Sequence, residues 1–169
     1  SRNIWCLGDS LTEGGAGQTT WRQALPDKLT IPRTITNWAR GGHTSTMIAA
    51  RAGAYCALLT VSGNTIPTSG AIAVTSSVDL LYSLSAQSIT GKLNGIAGTL
   101  TRDISGNYTF TRTTAGTAVY CGTKLPFNPD IYSHDFDTFV ILMGRNNLGS
   151  PADIIRDIEL CCSFQKTIE

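Results

Sequence analysis

The chain has 169 residues, a formal net charge of +1, 41% hydrophobic residues and 15% charged residues. This length is enough for one sizeable core, or for a core domain that contains a smaller inserted one. A net charge so close to zero gives no electrostatic basis for binding nucleic acid or an anionic membrane. No apolar run approaches the roughly 20 residues of a membrane helix.

An apolar run at residues 3–7 predicts a buried parallel strand that leads directly into Gly8-Asp9-Ser10-Leu11. A segment that opens polar follows, and residues 18–29 are predicted to form a helix. A strand, an abrupt turn and a helix push a serine hydroxyl out at the edge of a sheet. Ser10 is therefore a candidate nucleophile, although Gly-Asp-Ser also suits an ordinary tight turn.

Two further predicted strands also end in glycine-containing loops. Residues 34–39 lead into Gly41-Gly42-His43, and residues 137–143 run into Gly144-Arg145-Asn146-Asn147. A helix is predicted after each of these loops. The carboxyl ends of three predicted parallel strands therefore present, in chain order, a serine, a glycine and an asparagine.

The composition changes at about Cys56. From there to about Leu125 the sequence is rich in Thr, Ser and Gly, and it is broken into short alternating runs with turns such as Ser105-Gly106-Asn107. Such alternation predicts antiparallel hairpins, whereas a structureless loop of roughly 70 residues is rare in a compact domain. We interpret the segment as an inserted β domain. The predicted boundaries are 1–55 and 127–169 for the core and 56–126 for the insert.

The order serine, glycine, asparagine after three strands resembles the SGNH (GDSL) hydrolase family. Ser10 matches the block I serine, Gly42 the block II glycine and Asn146 the block III asparagine, all with the family's local spacing. The resemblance covers residues 1 to about 55 and 127 to 169. It implies a flavodoxin-like, three-layer α/β/α fold with a parallel sheet, an ester hydrolase that uses a serine nucleophile, and no metal or organic cofactor.

The resemblance also implies an oxyanion hole made of the Ser10 and Gly42 backbone N–H groups and the Asn146 side-chain amide. The residue types suit this role, because glycine allows close approach of the chain and an asparagine NH₂ donates where an aspartate does not. The structural alternative is that Gly42 is only a turn glycine and Asn146 only caps its loop.

Four neighbouring residues are candidates for lining the substrate site: Asp9, His43, Arg145 and Asn147. Asp9 adjoins the nucleophile on a tight turn, so bonding the turn's backbone is favoured over the role of a triad acid. For Arg145 and Asn147, organising their own loop is the alternative. His43 is favoured as a substrate-lining or exposed residue over a general base.

The general base is missing from this pattern. The family's fourth block, Asp-x-x-His near the C-terminus, is absent, and His134 precedes its strand, which places it at the opposite sheet edge roughly 17–20 Å away. The chain also ends where a further strand is expected. We therefore expect a fold that is incomplete at its C-terminus, a chain that is not a competent hydrolase alone, and self-association through the exposed edge of the third strand.

The expected substrate is a small-molecule or polysaccharide ester that loses an acetyl or short acyl group through an acyl-serine intermediate. Inserted domains occur in SGNH enzymes associated with phage tails and polysaccharides, and Tyr82, Tyr108 and Phe110 suggest a carbohydrate-facing platform here. The alternative is a non-catalytic carbohydrate-binding or virion appendage module on the same scaffold. No signal peptide is visible, and the resemblance suggests a secreted or virion-associated location.

The five cysteines show no zinc-binding spacing. Cys6 lies in the first predicted strand and Cys161-Cys162 in the last predicted helix. Cys56 and Cys121 bracket the insert. Two unpaired thiols are favoured there over a disulfide across the base of the insert.

Overall fold

The computed structural model describes residues 3–15, 19–130 and 138–166. The chain divides into two compact units, which we call the core unit (Ser1–Ala54 and Tyr132–Glu169) and the barrel unit (Tyr55–Ile131). The strands are β1 (Asn3–Gly8), β2 (Thr34–Asn37), β3 (Ala57–Val61), β4 (Thr65–Ile66), β5 (Ala71–Ser76), β6 (Gln87–Leu93), β7 (Ile96–Arg102), β8 (Tyr108–Arg112), β9 (Val119–Tyr120), β10 (Leu125–Pro129) and β11 (Thr138–Leu142). The α-helices are α1 (Ser10–Glu13), α2 (Trp21–Ala24), α3 (Ser45–Arg51) and α4 (Pro151–Lys166).

The core unit contains a three-stranded parallel sheet in the order β11-β1-β2. In the central strand, Cys6 pairs with Val140 on one side and with Asn37 on the other. β1 is buried from Ile4 to Gly8, as its continuous apolar run predicts. Because the strands are parallel, their carboxyl ends meet at one edge of the sheet, and so do the three loops that follow them.

The helices of the core unit are short except for α4. Thr20 and Gln23 form a capping box at the start of α2. Pro26 has no N–H for the Arg22 carbonyl, so the helix ends before it and a single 3₁₀ turn, Pro26–Lys28, follows. The helix predicted over 18–29 is therefore shorter than expected. None of the helices in the described ranges is long and apolar enough to cross a membrane.

The barrel unit is built from antiparallel hairpins. Six of its strands close a barrel in the order β10-β3-β5-β8-β7-β6, and β4 pairs with β9 beside them. β10 closes the ring because Leu125 pairs with Leu59 of β3 and Phe127 pairs with Leu93 of β6. Alternate residues point inward, as in β6, where Ile89, Gly91 and Leu93 are buried between exposed neighbours.

Two features of the β6–β7 hairpin suit it to the barrel: its tight turn and a pair of facing glycines. Asn94 and Gly95 link the paired residues Leu93 and Ile96, and both have a positive φ, as a type I′ turn requires. Further along, Gly91 pairs with Gly98. A Cβ at either glycine would overlap the ring of Phe127 or Phe110, so the pair makes room for the two phenylalanines that fill the barrel.

The prediction of a flavodoxin-like three-layer α/β/α fold is wrong. The parallel sheet of the described residues has three strands, and most of the regular structure is antiparallel, dominated by the closed barrel. The loop motifs correctly predicted three parallel strands. A three-layer fold also needs helices long enough to cover both faces of the sheet. α1 and α2 have four residues each, and α3 has seven.

Two predictions about single side chains also have an outcome. Two residues of the predicted carbohydrate-facing platform are not at the surface, because Tyr108 and Phe110 are 8% and 0% exposed and belong to the barrel core, whereas Tyr82 is 37% exposed. Cys56 and Cys121 are both free thiols, the former exposed and the latter buried, which confirms the favoured alternative.

Candidate active site

β1 ends at Gly8, where there is no space for a side chain. A Cβ at this position would overlap Thr12 Oγ1 and would lie 2.5 Å from the carbonyl oxygen of Leu142 on the neighbouring strand. Only glycine therefore allows β1 to turn directly into α1 while β11 stays paired beside it.

Asp9 is the N-cap of α1. Its Oδ1 accepts a hydrogen bond from the Leu11 N–H at 3.0 Å, and its carbonyl accepts from the N–H groups of Thr12 and Glu13. The side chain is 1% exposed. The carboxylate thus bonds the backbone of the turn that presents Ser10, the role favoured for it over that of a triad acid.

Ser10 is the first residue of α1 and is exposed at the carboxyl end of the central strand. Its carbonyl accepts from the Gly14 N–H at 2.9 Å. Among the described residues, the Ser10 N–H makes no backbone hydrogen bond, as expected for the first position of a helix. Hydroxyl and N–H are thus both free to meet a bound carbonyl group.

The loop after β2 reaches Ser10. A Cβ built on Gly41 would lie 3.6 Å from Ser10 Cβ, so the two backbones pass each other closely. Gly42 follows with φ of +80°, a left-handed conformation that side chains other than hydrogen disfavour. The two glycines therefore answer different requirements, close approach at Gly41 and backbone conformation at Gly42.

Asn146 joins the third loop to the second. Its Nδ2 donates to the His43 carbonyl oxygen at 2.8 Å. An asparagine NH₂ has two N–H groups, so one remains to donate elsewhere. His43 itself is 1% exposed, so the prediction of a substrate-lining or exposed imidazole is wrong.

Asn147 is fixed by α3. Its Oδ1 accepts from the Ser45 N–H at 3.1 Å, and its Nδ2 donates to Ser45 Oγ at 2.9 Å. Ser45 Oγ in turn donates to Asp157 Oδ2 at 2.6 Å, which also accepts from Thr46 Oγ1, while Asp157 Oδ1 accepts from Arg156. Asp157 is fully buried. This network of α3 and α4 holds the loop that carries Asn146, and Asn147 organises the loop.

Glu13 lies beside the Gly41-Gly42 loop, and three arginines interact with it: Arg22, Arg40 and Arg51. Glu13 Oε2 accepts from the Gly41 N–H at 2.5 Å, and Oε1 accepts from Arg40 at 3.1 Å. Arg22 donates to the Glu13 carbonyl. Burial, with Arg40 nearby, lowers the pKa of Arg51 to about 10, and the Glu13 charge partly opposes that shift. The carboxylate is thus the negative centre of a basic cluster.

An apolar cavity of about 310 Å³ adjoins the turn that carries Ser10. Its walls include Asp9 and Leu11, the two residues that flank Ser10, and Arg145 lies at its lining from the third loop. The remaining lining residues come from the end of β11, its loop and α4: Leu142, Met143, Gly144, Leu148 and Ile154. Most of the cavity lining lies at the end of β11 and beyond it, whereas the Gly41-Gly42 loop follows β2. These two strands flank β1 on opposite sides.

The described residues assign no general base and no metal. His134 lies outside the described residues, and His43 is buried. Both carboxylate oxygens of Glu13 accept hydrogen bonds from other groups. Within the same ranges, no cluster of three His, Cys, Asp or Glu side chains has the arrangement of a metal site.

Three residues of this region were not found from the sequence: Glu13, Ser45 and Asp157. Glu13 is one helical turn from Ser10 and Asp157 lies among Ile154, Ile158 and Cys161 at helical spacing. A charged residue in an apolar helical stripe indicates a buried polar partner, which is a usable signal. The identity of that partner, more than 100 positions earlier in the chain, is not visible in the pattern.

No protein-family model, curated protein or solved structure matches this chain.

Proposed function

We propose that the core unit is an ester hydrolase of the SGNH type with Ser10 as its nucleophile. The observation that supports this is the convergence of three loops at one sheet edge. Ser10 is exposed there, a Cβ on Gly41 would lie within van der Waals distance of it, and Asn146 donates to the loop that contains Gly42. This is the set of groups that acyl transfer through a serine requires, apart from the base.

In the proposed reaction, Ser10 Oγ attacks the ester carbonyl carbon, and its proton passes through solvent water to the oxygen of the departing alcohol. Negative charge develops on the carbonyl oxygen, where the Ser10 N–H, the Gly42 N–H and the second N–H of Asn146 are proposed to donate. Collapse of the intermediate breaks the bond to the alcohol, which takes up a proton and leaves an acyl-serine. Water then hydrolyses the acyl-serine and restores the hydroxyl.

The cavity beside Ser10 supports an acyl group as the part of the substrate that this site recognises. Its lining is mainly aliphatic and begins at Leu11, the next residue after the proposed nucleophile. Each methylene buried there contributes about 0.8 kcal/mol. An acetyl or short acyl ester of a small molecule or polysaccharide is therefore the proposed substrate class.

We further propose that this chain alone turns over slowly. A serine hydroxyl is a poor nucleophile near neutral pH unless a base lies within about 2.6–3.2 Å. The described residues bring no such group to Ser10. Activated reagents, whose leaving group needs no proton, are therefore the appropriate probes.

The test is covalent labelling of Ser10 by a fluorophosphonate, followed by intact mass spectrometry and peptide mapping. We expect one adduct, located on Ser10, and none in Ser10→Ala. Ser62→Ala, which changes an exposed serine of the barrel unit, should label like the wild type. The reagent is used in large excess over hours at alkaline pH, because no described base activates Ser10. Labelling that persists in Ser10→Ala, or a folded wild-type protein that labels no more than Ser10→Ala under these conditions, would refute the proposal and favour the non-catalytic alternative.

A further inference from the structure

Glu13 connects the helix of the proposed nucleophile to the loop of the proposed oxyanion donor. It lies one turn after Ser10 in α1, and its Oε2 accepts the Gly41 N–H at 2.5 Å. A Cβ on Gly41 would lie 3.0 Å from that same oxygen and 3.6 Å from Ser10 Cβ. The carboxylate, the glycine and the serine are therefore in one contact group.

Because the Gly41 N–H already donates to Glu13, it is not available to donate to a substrate. Gly41 donates to Glu13, and the next donor along the chain is Gly42, whose N–H makes no hydrogen bond within the described residues. The Gly41 N–H belongs to the Arg40–Gly41 peptide unit, which is joined at the Gly41 Cα to the peptide unit that carries the Gly42 N–H. Holding Gly41 thus restricts the direction of the Gly42 N–H.

The surroundings of Glu13 fix the carboxylate in turn. Arg40 donates to Oε1 at 3.1 Å, and Arg22 bonds the Glu13 backbone carbonyl at the end of α1. The Glu13 side chain is 30% exposed. The ion pair with Arg40 is exposed enough to contribute little by itself, whereas the bond to Gly41 joins two separate elements.

We propose that Glu13 is a positioning residue that sets the Gly42 N–H toward the carbonyl oxygen of an ester on Ser10. The inference rests on the proposed function. Glu13 is not a base in this arrangement, because both of its oxygens already accept hydrogen bonds. It acts through the Gly41 peptide, and no charge transfer or proton transfer to the substrate is involved.

Three variants separate the hydrogen bond from the charge. Glu13→Ala removes both, Glu13→Gln keeps an oxygen that accepts from the Gly41 N–H, and Arg40→Met removes the ion pair alone. With p-nitrophenyl acetate, we expect Glu13→Ala to lower kcat by about 10–100-fold with KM little changed, since small misplacements of a catalytic group have effects of this size. Glu13→Gln and Arg40→Met should stay within about threefold of the wild type.

A measurement without catalysis tests the same contact. The exchange rate of the Gly41 amide proton, followed by NMR, should rise in Glu13→Ala and stay near the wild-type value in Glu13→Gln. Unchanged exchange in Glu13→Ala would overturn the inference whatever the activity, and so would an equal loss of kcat in the alanine and glutamine variants. A wild-type rate no higher than that of Ser10→Ala would instead refute the proposed function, while the exchange result still decides the role of Glu13.

Discussion

Adjacent residues of the candidate site have separate physical roles. Gly8, Gly41 and Gly42 look alike in the sequence, yet the first avoids an overlap with Thr12 and β11, the second approaches Ser10, and the third has a left-handed φ. Asn146 and Asn147 differ in the same way: one donates to the Gly42 loop and the other is bound to Ser45. Residue type alone therefore does not assign these roles.

Asn146→Ala is expected to slow phosphonylation of Ser10 by roughly 10²–10³-fold, the usual cost of one oxyanion donor. The rate of adduct formation, measured by intact mass spectrometry at several reagent concentrations, checks this. Arg145→Ala is the matched neighbour, because Arg145 is exposed and lines the cavity but is not a proposed oxyanion donor. Equal rates for the two variants would contradict the role given to Asn146.

Thr12→Val is expected to stabilise the protein by about 1 kcal/mol. Thr12 is fully buried and its Oγ1 has no hydrogen-bond partner within the described residues, so the hydroxyl is desolvated without compensation. Urea unfolding gives the free energy. Thr20→Val is expected to destabilise the protein by about 1 kcal/mol, because the Thr20 hydroxyl caps α2. A destabilised Thr12→Val variant would show that the hydroxyl is bonded in solution.

At the scale of elements, several parts of the core unit are joined by contacts that are remote in sequence. α3 and α4 meet at Asp157, which accepts from Ser45 and Thr46, and this contact also orders the loop after β11. β11 has β1 as its one strand neighbour among the described residues.

We propose that copies of this chain associate through β11, and a charge on this strand is then expected to reduce the association. Leu142 is 43% exposed at the end of that strand, and a lysine there should weaken edge-to-edge pairing. Sedimentation velocity over a concentration series measures the effect. Leu84→Lys is the control, since Leu84 is an exposed leucine of the barrel unit. Equal association of Leu142→Lys and wild type would show that β11 is not the contact.

The free energy of unfolding is expected to fall at alkaline pH because of the buried Cys161 thiol of α4. Burial, then the neighbouring Cys162 and Asp157, raises the pKa of the Cys161 thiol from 9.0 to about 12. An acid with a raised pKa stabilises the fold fully below the unfolded pKa, and this contribution is lost as pH rises from about 9 toward 12. At pH 10.5 the loss is about 2 kcal/mol. Urea unfolding at pH 8 and pH 10.5 should show that Cys161→Ala loses about 2 kcal/mol less than the wild type between these two pH values. An equal loss in the two proteins would contradict the prediction.

At the scale of the whole molecule, the chain combines two units with different ways of forming a core. The core unit buries a parallel strand between two others, whereas the barrel unit closes six antiparallel strands around inward-pointing side chains. Closure pairs every strand of the barrel on both sides. A barrel with no open strand edge and its own apolar core has what independent folding requires.

Residues 55–130 produced alone are therefore expected to fold. Far-ultraviolet circular dichroism should show β structure, and urea should unfold it in one cooperative transition. Phe110→Ala in the same fragment should lose about 3–5 kcal/mol, because Phe110 is fully buried in the barrel. A fragment without a cooperative transition would show that the barrel needs the core unit to fold.

Some of this structure follows from the sequence because it is local. The continuous apolar run of β1, the turn at Gly8, and the alternating strands with Asn-Gly or Gly-containing turns all depend on residues close in the chain. The same holds for the order of Ser10, Gly42 and Asn146 behind three strands. These local patterns predicted the strands around the candidate site and the antiparallel character of the middle segment.

What only the tertiary structure decided depends on contacts between distant residues. Alternation predicts hairpins but not whether they close, and closure here rests on β10 pairing with both β3 and β6. The three-layer prediction failed because the described parallel sheet has three strands and α1, α2 and α3 are too short to cover its faces. The partners of Glu13 and Asp157 lie 28 and 112 positions away, and a sequence pattern holds no information at that range. Only packing brings each of these carboxylates to donors so far away in the chain.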